Sequence, residues 1–142
     1  MCLERLDKYK EHGLFILRLG IGLMFMNFGY GMLFGGPTMW EKVGGALGFL
    51  GIHFGQQFFG FLAALSEFGG GILLILGLMT RVAAIFMLIT MCVAANLHFA
   101  NGDGFQKAVP AIESAIIFLS LIFIGPGKFS FDEKCKGLCR KK

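Results

Sequence analysis

Four long apolar runs, separated by short polar or glycine-rich breaks, organise the chain. They cover 14–34 (LFILRLGIGLMFMNFGYGMLF), 58–79 (FFGFLAALSEFGGGILLILGLM), 82–100 (VAAIFMLITMCVAANLHFA) and 108–125 (AVPAIESAIIFLSLIFIG). About 20 apolar residues wound as a helix cross the hydrocarbon core of a bilayer. No run carries a polar stripe wide enough to make a water-facing side. The pattern therefore predicts an all-α fold, a transmembrane four-helix bundle. Little more than Thr80-Arg81 joins spans 2 and 3, which forces an antiparallel hairpin. Between spans 1 and 2, residues 35–57 place Trp40, Val43, Leu47 and Leu50 on one helical face. That segment is too short and too glycine-broken to span. It reads as a short interfacial helix with Trp40 as its anchor.

The pattern divides the chain into an N-terminal segment 1–13, a four-span membrane domain 14–125 and a basic tail 126–142. The first span is longer than a signal-peptide core and no small-x-small site follows it, so it is expected to be a retained helix. Composition agrees with the pattern: 56% of the 142 residues are hydrophobic and only 15% charged, against about 25% charged in soluble domains. Arg5, Lys8, Lys10, Arg81 and six basic residues after Gly125 fall on one side, against Lys42 and Lys107 on the other. By the positive-inside rule both termini are expected in the cytoplasm, with the protein a multi-pass component of a bacterial inner membrane. The net charge of +4 is then a topology signal and an attraction to anionic lipid, with no nucleic-acid partner implied.

Against this background the polar groups inside the spans stand out: Arg18, Asn27, Glu67, Asn96, His98 and Glu113. With about 1.5 Å of rise per residue from the basic end, Asn27, Glu67, Asn96 and Glu113 fall at about 20, 18, 21 and 18 Å. Four helices thus deliver a polar group to one layer. Ala63, Glu67 and Gly71 share a face of span 2, and Gly20, Asn27 and Gly31 lie close together on span 1, so these groups are expected to face neighbouring helices. Glu67 and Glu113 have two readings. One is helix glue, a protonated carboxyl hydrogen-bonded across the bundle. The other, which we favour, is a ligand-binding or proton-handling layer built from Glu67, Glu113, Asn27 and Asn96, with Arg18 and His98 as further members. Two carboxylates in one desolvated layer should not both be charged. Arg18 lies low enough to reach the headgroups, and His98 also reads as an interfacial residue near a loop. No spacing marks a metal site.

Cys2, Cys135 and Cys139 lie on the expected cytoplasmic side and Cys92 within span 3, so no disulfide framework is expected. In the tail, Cys135 and Cys139 sit four apart among Lys134, Lys136 and Arg140. They are candidate redox thiols, or simply part of a basic tail. No haem, dinucleotide or iron–sulfur motif is present, so no intrinsic cofactor is expected.

Four stretches together resemble the DoxX family of small bacterial membrane proteins: LRLGIGLMFMNFGYGMLFGG (17–36), LAALSEFGGGILLILGLMTRVAA (62–84), the start of span 4 around Glu113, and GPGKFSFD (125–132). The resemblance covers roughly 14–132 and implies a four-helix membrane bundle. Arg18, Glu67, Arg81 and Glu113 correspond to polar positions typical of that family. The chain departs from it at Phe28 and Met32, where members often carry a histidine and a lysine. Some members are linked to oxidoreductases that pass electrons to quinone, others to thiol-redox complexes. The resemblance thus implies a membrane subunit of a quinone- or thiol-linked redox complex, holding a quinone or lipid-like ligand and meeting a soluble or membrane redox partner. A small proton-coupled transporter and a non-catalytic scaffold or assembly factor are the alternatives. A homo-oligomer is expected; for the transporter alternative it would be needed, because four short helices make a bundle too narrow for a pathway.

Overall fold

The computed structural model describes residues 8–139. Among them six α-helices follow in order: α1 Lys10–Phe34, α2 Pro37–Gly44, α3 Gln56–Leu76, α4 Thr80–Ala100, α5 Phe105–Ile124 and α6 Phe131–Cys139. A 3-10 turn, Gly45–Leu50, connects α2 to α3. Helices α1, α3, α4 and α5 are the four expected spans, each long and apolar enough to cross a membrane. The shortest has 20 residues, about 30 Å of helix.

Glycine and proline set the boundaries. α1 stops at Gly35-Gly36, and Pro37 opens α2, where its missing N–H costs nothing. α3 ends three residues earlier than the apolar run, because Gly77 turns left-handed (φ 67°). Its N–H reaches Leu74 O at 3.2 Å, and the Leu78 N–H reaches Leu73 O at 3.0 Å. This Schellman closure satisfies the last carbonyls of α3 and turns the chain directly into α4.

α1 packs along α3, α3 along α4, and α4 along α5. The Phe25 ring meets the Phe118 ring edge-on at 5.0 Å and closes α1 against α5. Phe25, Leu74, Ala84, Met87, Phe118 and Leu121 form the centre of the core. The buried stripe of α1 is Arg18, Gly22, Phe25 and Gly29. Small residues there admit α3 backbone to backbone: a Cβ on Gly29 would lie 2.2 Å from Phe68 N. Without a hydrophobic drive in lipid, such close contact is what holds helices together. The expected inward face of span 1 is therefore displaced. Gly20 and Gly31 have nothing within 4 Å of a would-be Cβ, and Asn27 between them is exposed.

The short helix between spans 1 and 2 is present and docks on α3. A Cβ on Gly60 would collide with Trp40 O, and the Trp40 ring sits 5.0 Å from that of Phe61. The indole N–H donates to the carbonyls of Met32 (3.1 Å) and Leu33 (3.2 Å) at the end of α1. Trp40 thus anchors inward, tying α1, α2 and α3 together.

Candidate functional site

Among the described residues two charged side chains are buried in the bundle, and their surroundings differ completely. Arg18 is 1% exposed. Its guanidinium donates to the carbonyls of Pro126 and, at 2.9 Å, Phe129. The segment after α5 has folded back over the end of the bundle and supplies these acceptors. Asp132 follows in the same segment, and its carboxylate accepts the N–H groups of Met79 (2.9 Å) and Thr80 (3.1 Å). These are orphan donors at the start of α4, so Asp132 caps that helix from 52 residues away. The Asp132 N–H returns to Gly77 O at 3.1 Å. Ser130 begins α6: its hydroxyl donates to Gly127 O at 2.6 Å and accepts the Glu133 N–H at 3.2 Å. Glu11 accepts the Lys128 N–H at 2.8 Å. Gly77 has no room for a side chain, since a Cβ would meet Arg18 Nη1 at 2.5 Å. The stretches GLMTR and GPGKFSFD, far apart in sequence, are two halves of one clasp around Arg18.

Arg18 consequently does not reach the headgroups and does not join a mid-bilayer layer. The tail is also less independent than its basic composition implies, since 126–132 belongs to the bundle. Cys135 is exposed. The side chain of Cys139 lies outside the described residues, as do Cys2 and residues 140–142.

Glu67 is the other buried charge. It lies on the inward face of α3 with Gly60, Ala64, Gly70, Gly71 and Leu74, where Gly29 of α1 presses against the backbone at 67–68. Its side chain is 6% exposed. No hydrogen bond or ion pair engages it among the described residues. An uncompensated charge at such a depth costs about 2.5–3.5 kcal/mol on insertion scales, so the group must hold a proton or find a partner. One residue away, Ser66 Oγ and Thr90 Oγ1 stand 3.5 Å apart, the edge of hydrogen-bonding reach between α3 and α4.

Asn27, Asn96 and Glu113 do not converge on Glu67. All three are exposed on the bundle surface, and no hydrogen bond or ion pair joins any two of the four among the described residues. Helical phase explains the divergence. Asn27 is two residues beyond buried Phe25, and Glu113 two beyond buried Ala111. Each is thereby turned about 200° from the core. Asn96 is five beyond buried Met91, about 140° away. Counting along a helix estimates depth alone; which face a residue takes is set by the neighbouring helices.

His98 belongs to the far end. Its Nδ1 lies 3.0 Å from Asp103 Oδ2, and Lys107 Nζ lies 2.9 Å from Asp103 Oδ1. The trio staples the α4–α5 turn. These hydrogen bonds, that of His98 foremost, hold the Asp103 carboxyl below the ordinary carboxylate range. Among the described residues no group of three or more His, Cys, Asp or Glu is placed to hold a metal ion. Two grooves open at the end bearing the clasp, one flanked by Lys10 and Leu17, the other by Arg81 and Pro126. Neither includes Glu67.

With this geometry in hand, comparison with known proteins gives a consistent answer. The family model described as DoxX matches residues 13–100. A Haemophilus influenzae protein described as uncharacterized is 29% identical over 141 residues, covering 93% of this chain and 97% of its own. Inner membrane protein YqjF of Escherichia coli is 28% identical over 132 residues, covering 89% of this chain and 95% of its own. No solved structure matches.

Proposed function

The chain belongs to the DoxX family, and from that membership we propose that this four-span membrane protein is the membrane-embedded subunit of a quinone- or thiol-linked redox complex in the bacterial inner membrane. One observation carries the reading: three helices hold Asn27, Asn96 or Glu113 within their spans yet turn them outward. Polar side chains facing lipid are expensive, and a neighbouring protein surface is what relieves them. The sequence has no electron-carrier motif, so the carrier would sit in that neighbour. Glu67 supplies the complementary feature, a carboxyl group free of partners and able to exchange a proton as the partner's quinone or thiols change oxidation state. The relative's inner-membrane description supports the location, and the excess of basic residues at the clasp end supports placing both termini in the cytoplasm.

The test is purification from native membranes in mild detergent, followed by partner identification and quinone extraction. The reading expects a membrane or soluble oxidoreductase to co-purify, to be lost with Glu113→Leu plus Asn96→Leu, and to retain assembly but lose turnover with Glu67→Gln. A chain that purifies alone, with no quinone and no quinone-dependent gain in thermal stability, removes it. The unpartnered state of Glu67 also favours a second reading, proton-coupled transport. There, flux in liposomes containing the protein alone would stop on Glu67→Gln.

A further inference from the structure

A groove of about 470 Å³ lies between the start of α1 and the end of α5, lined by Lys10, Glu11, Gly13, Leu14, Leu17 and Ile124. Its origin is a division of labour in packing. Deeper in the bundle α1 meets α5 through Phe25 and Phe118. At the end of the bundle, α1 is engaged instead by the clasp segment, which brings the Phe129 ring to 4.9 Å from His12 and Gly127 against Leu14. Beside the clasp contact, the space between α1 and the end of α5 stays open.

Its lining is graded. Leu17 and Ile124 present apolar surface, 39% and 62% exposed. Lys10 is exposed and carries no ion pair or hydrogen bond among the described residues. Glu11, the acidic member, keeps its charge but turns its carboxylate to the Lys128 N–H and the clasp segment, whereas the ammonium of Lys10 has no partner among the described residues. From Lys10 to Leu17 the helix rises about 10 Å, so a cation stands at one end of the groove and hydrocarbon lines the rest. Gly13 sits between them. A Cβ there would meet nothing within 4 Å, so packing does not demand glycine. What the missing side chain does is keep the groove open.

We propose that this groove binds an anionic phospholipid of the leaflet at the clasp end, its phosphate on Lys10 and an acyl chain along Leu14, Leu17 and Ile124. A free anion would use only the lysine; a zwitterionic lipid would bring its own cation beside the phosphate and carry no net charge to the lysine. Charge complementarity selects the lipid that uses both, and the basic clasp end faces the membrane surface where such lipids are attracted.

The experiment is native mass spectrometry of the detergent-solubilised full chain titrated with phosphatidylglycerol, phosphatidylcholine or inorganic phosphate. Phosphatidylglycerol should bind about fivefold more tightly than phosphatidylcholine, the worth of one lysine at a membrane surface. Lys10→Gln should erase that preference while leaving weak binding of both lipids. Gly13→Leu, whose Cβ meets nothing within 4 Å, should abolish binding of both with an unchanged gel-filtration profile. Excess inorganic phosphate should not displace the lipid. Equal binding of the two lipids, displacement by phosphate, or a preference that survives both substitutions overturns the proposal. So does a groove occupied by a second copy, seen as dimers that Gly13→Leu separates while lipid binding persists.

Discussion

Arg18 and Glu67 are both charged, both buried and both set into glycine-rich helix faces, yet the structure treats them oppositely. Around Arg18 the chain has built acceptors: two carbonyls from a segment more than a hundred residues downstream meet its guanidinium. Around Glu67 it has built only closeness, with no hydrogen-bond donor engaging the carboxyl among the described residues. A buried charge with its partners in place is architecture, since removing it strands those partners. A buried ionisable group without partners adds nothing to stability. Its retention is better explained by what it exchanges with something outside the chain.

Four single substitutions and one double variant test this contrast. Arg18→Gln should have the largest effect, because the carbonyls of Pro126 and Phe129 lose charged donors in a dry site. An unsatisfied buried group costs about 1–3 kcal/mol, so a loss of about 2–5 kcal/mol is expected from thermal or denaturant unfolding in detergent. Asp132→Ala removes the cap of α4 and should cost about 0.5–2 kcal/mol. Because both substitutions open the same clasp, the double variant should lose less than the sum. Additive losses would mean that the clasp is two independent contacts.

Smaller still is the effect at the opposite end of the α4–α5 hairpin. The Asp103 carboxyl is held below its unfolded value by His98 and Lys107. Its contribution is therefore present above the unfolded pKa and fades as pH falls through the lowered folded one. Asp103→Asn should flatten that acid-side loss and leave stability at neutral pH slightly reduced. Glu67→Gln should move stability least, by under about 1 kcal/mol, since no hydrogen bond is removed. A Glu67→Gln chain that unfolds like Arg18→Gln would place Glu67 with the architecture and end the contrast.

Much of the fold could be read from residue order, because apolar length, glycine breaks and the Trp40 stripe each have a local physical meaning. All four spans appear within a few residues of expectation. The inward facing of Glu67 was legible as well, since Ala63 and Gly71 share its face and Gly71 is buried with it. Asn27 and Glu113 were not, because depth follows from counting along one helix whereas facing depends on which stripe the neighbours choose. On α1 that choice fell to Gly22 and Gly29 over Gly20 and Gly31, and the signal available was the seven-residue spacing about Phe25. The clasp was the least legible element. Its bonds join residues 52 to 117 positions apart, and nothing local in GPGKFSFD announces that its carbonyls await an arginine from the first helix.

That arginine has a consequence for how the chain is made. Its acceptors lie 108 and 111 residues further along, so α1 is synthesised before the carbonyls that satisfy its guanidinium. A chain cut before residue 126 would keep the buried charge and lose both acceptors.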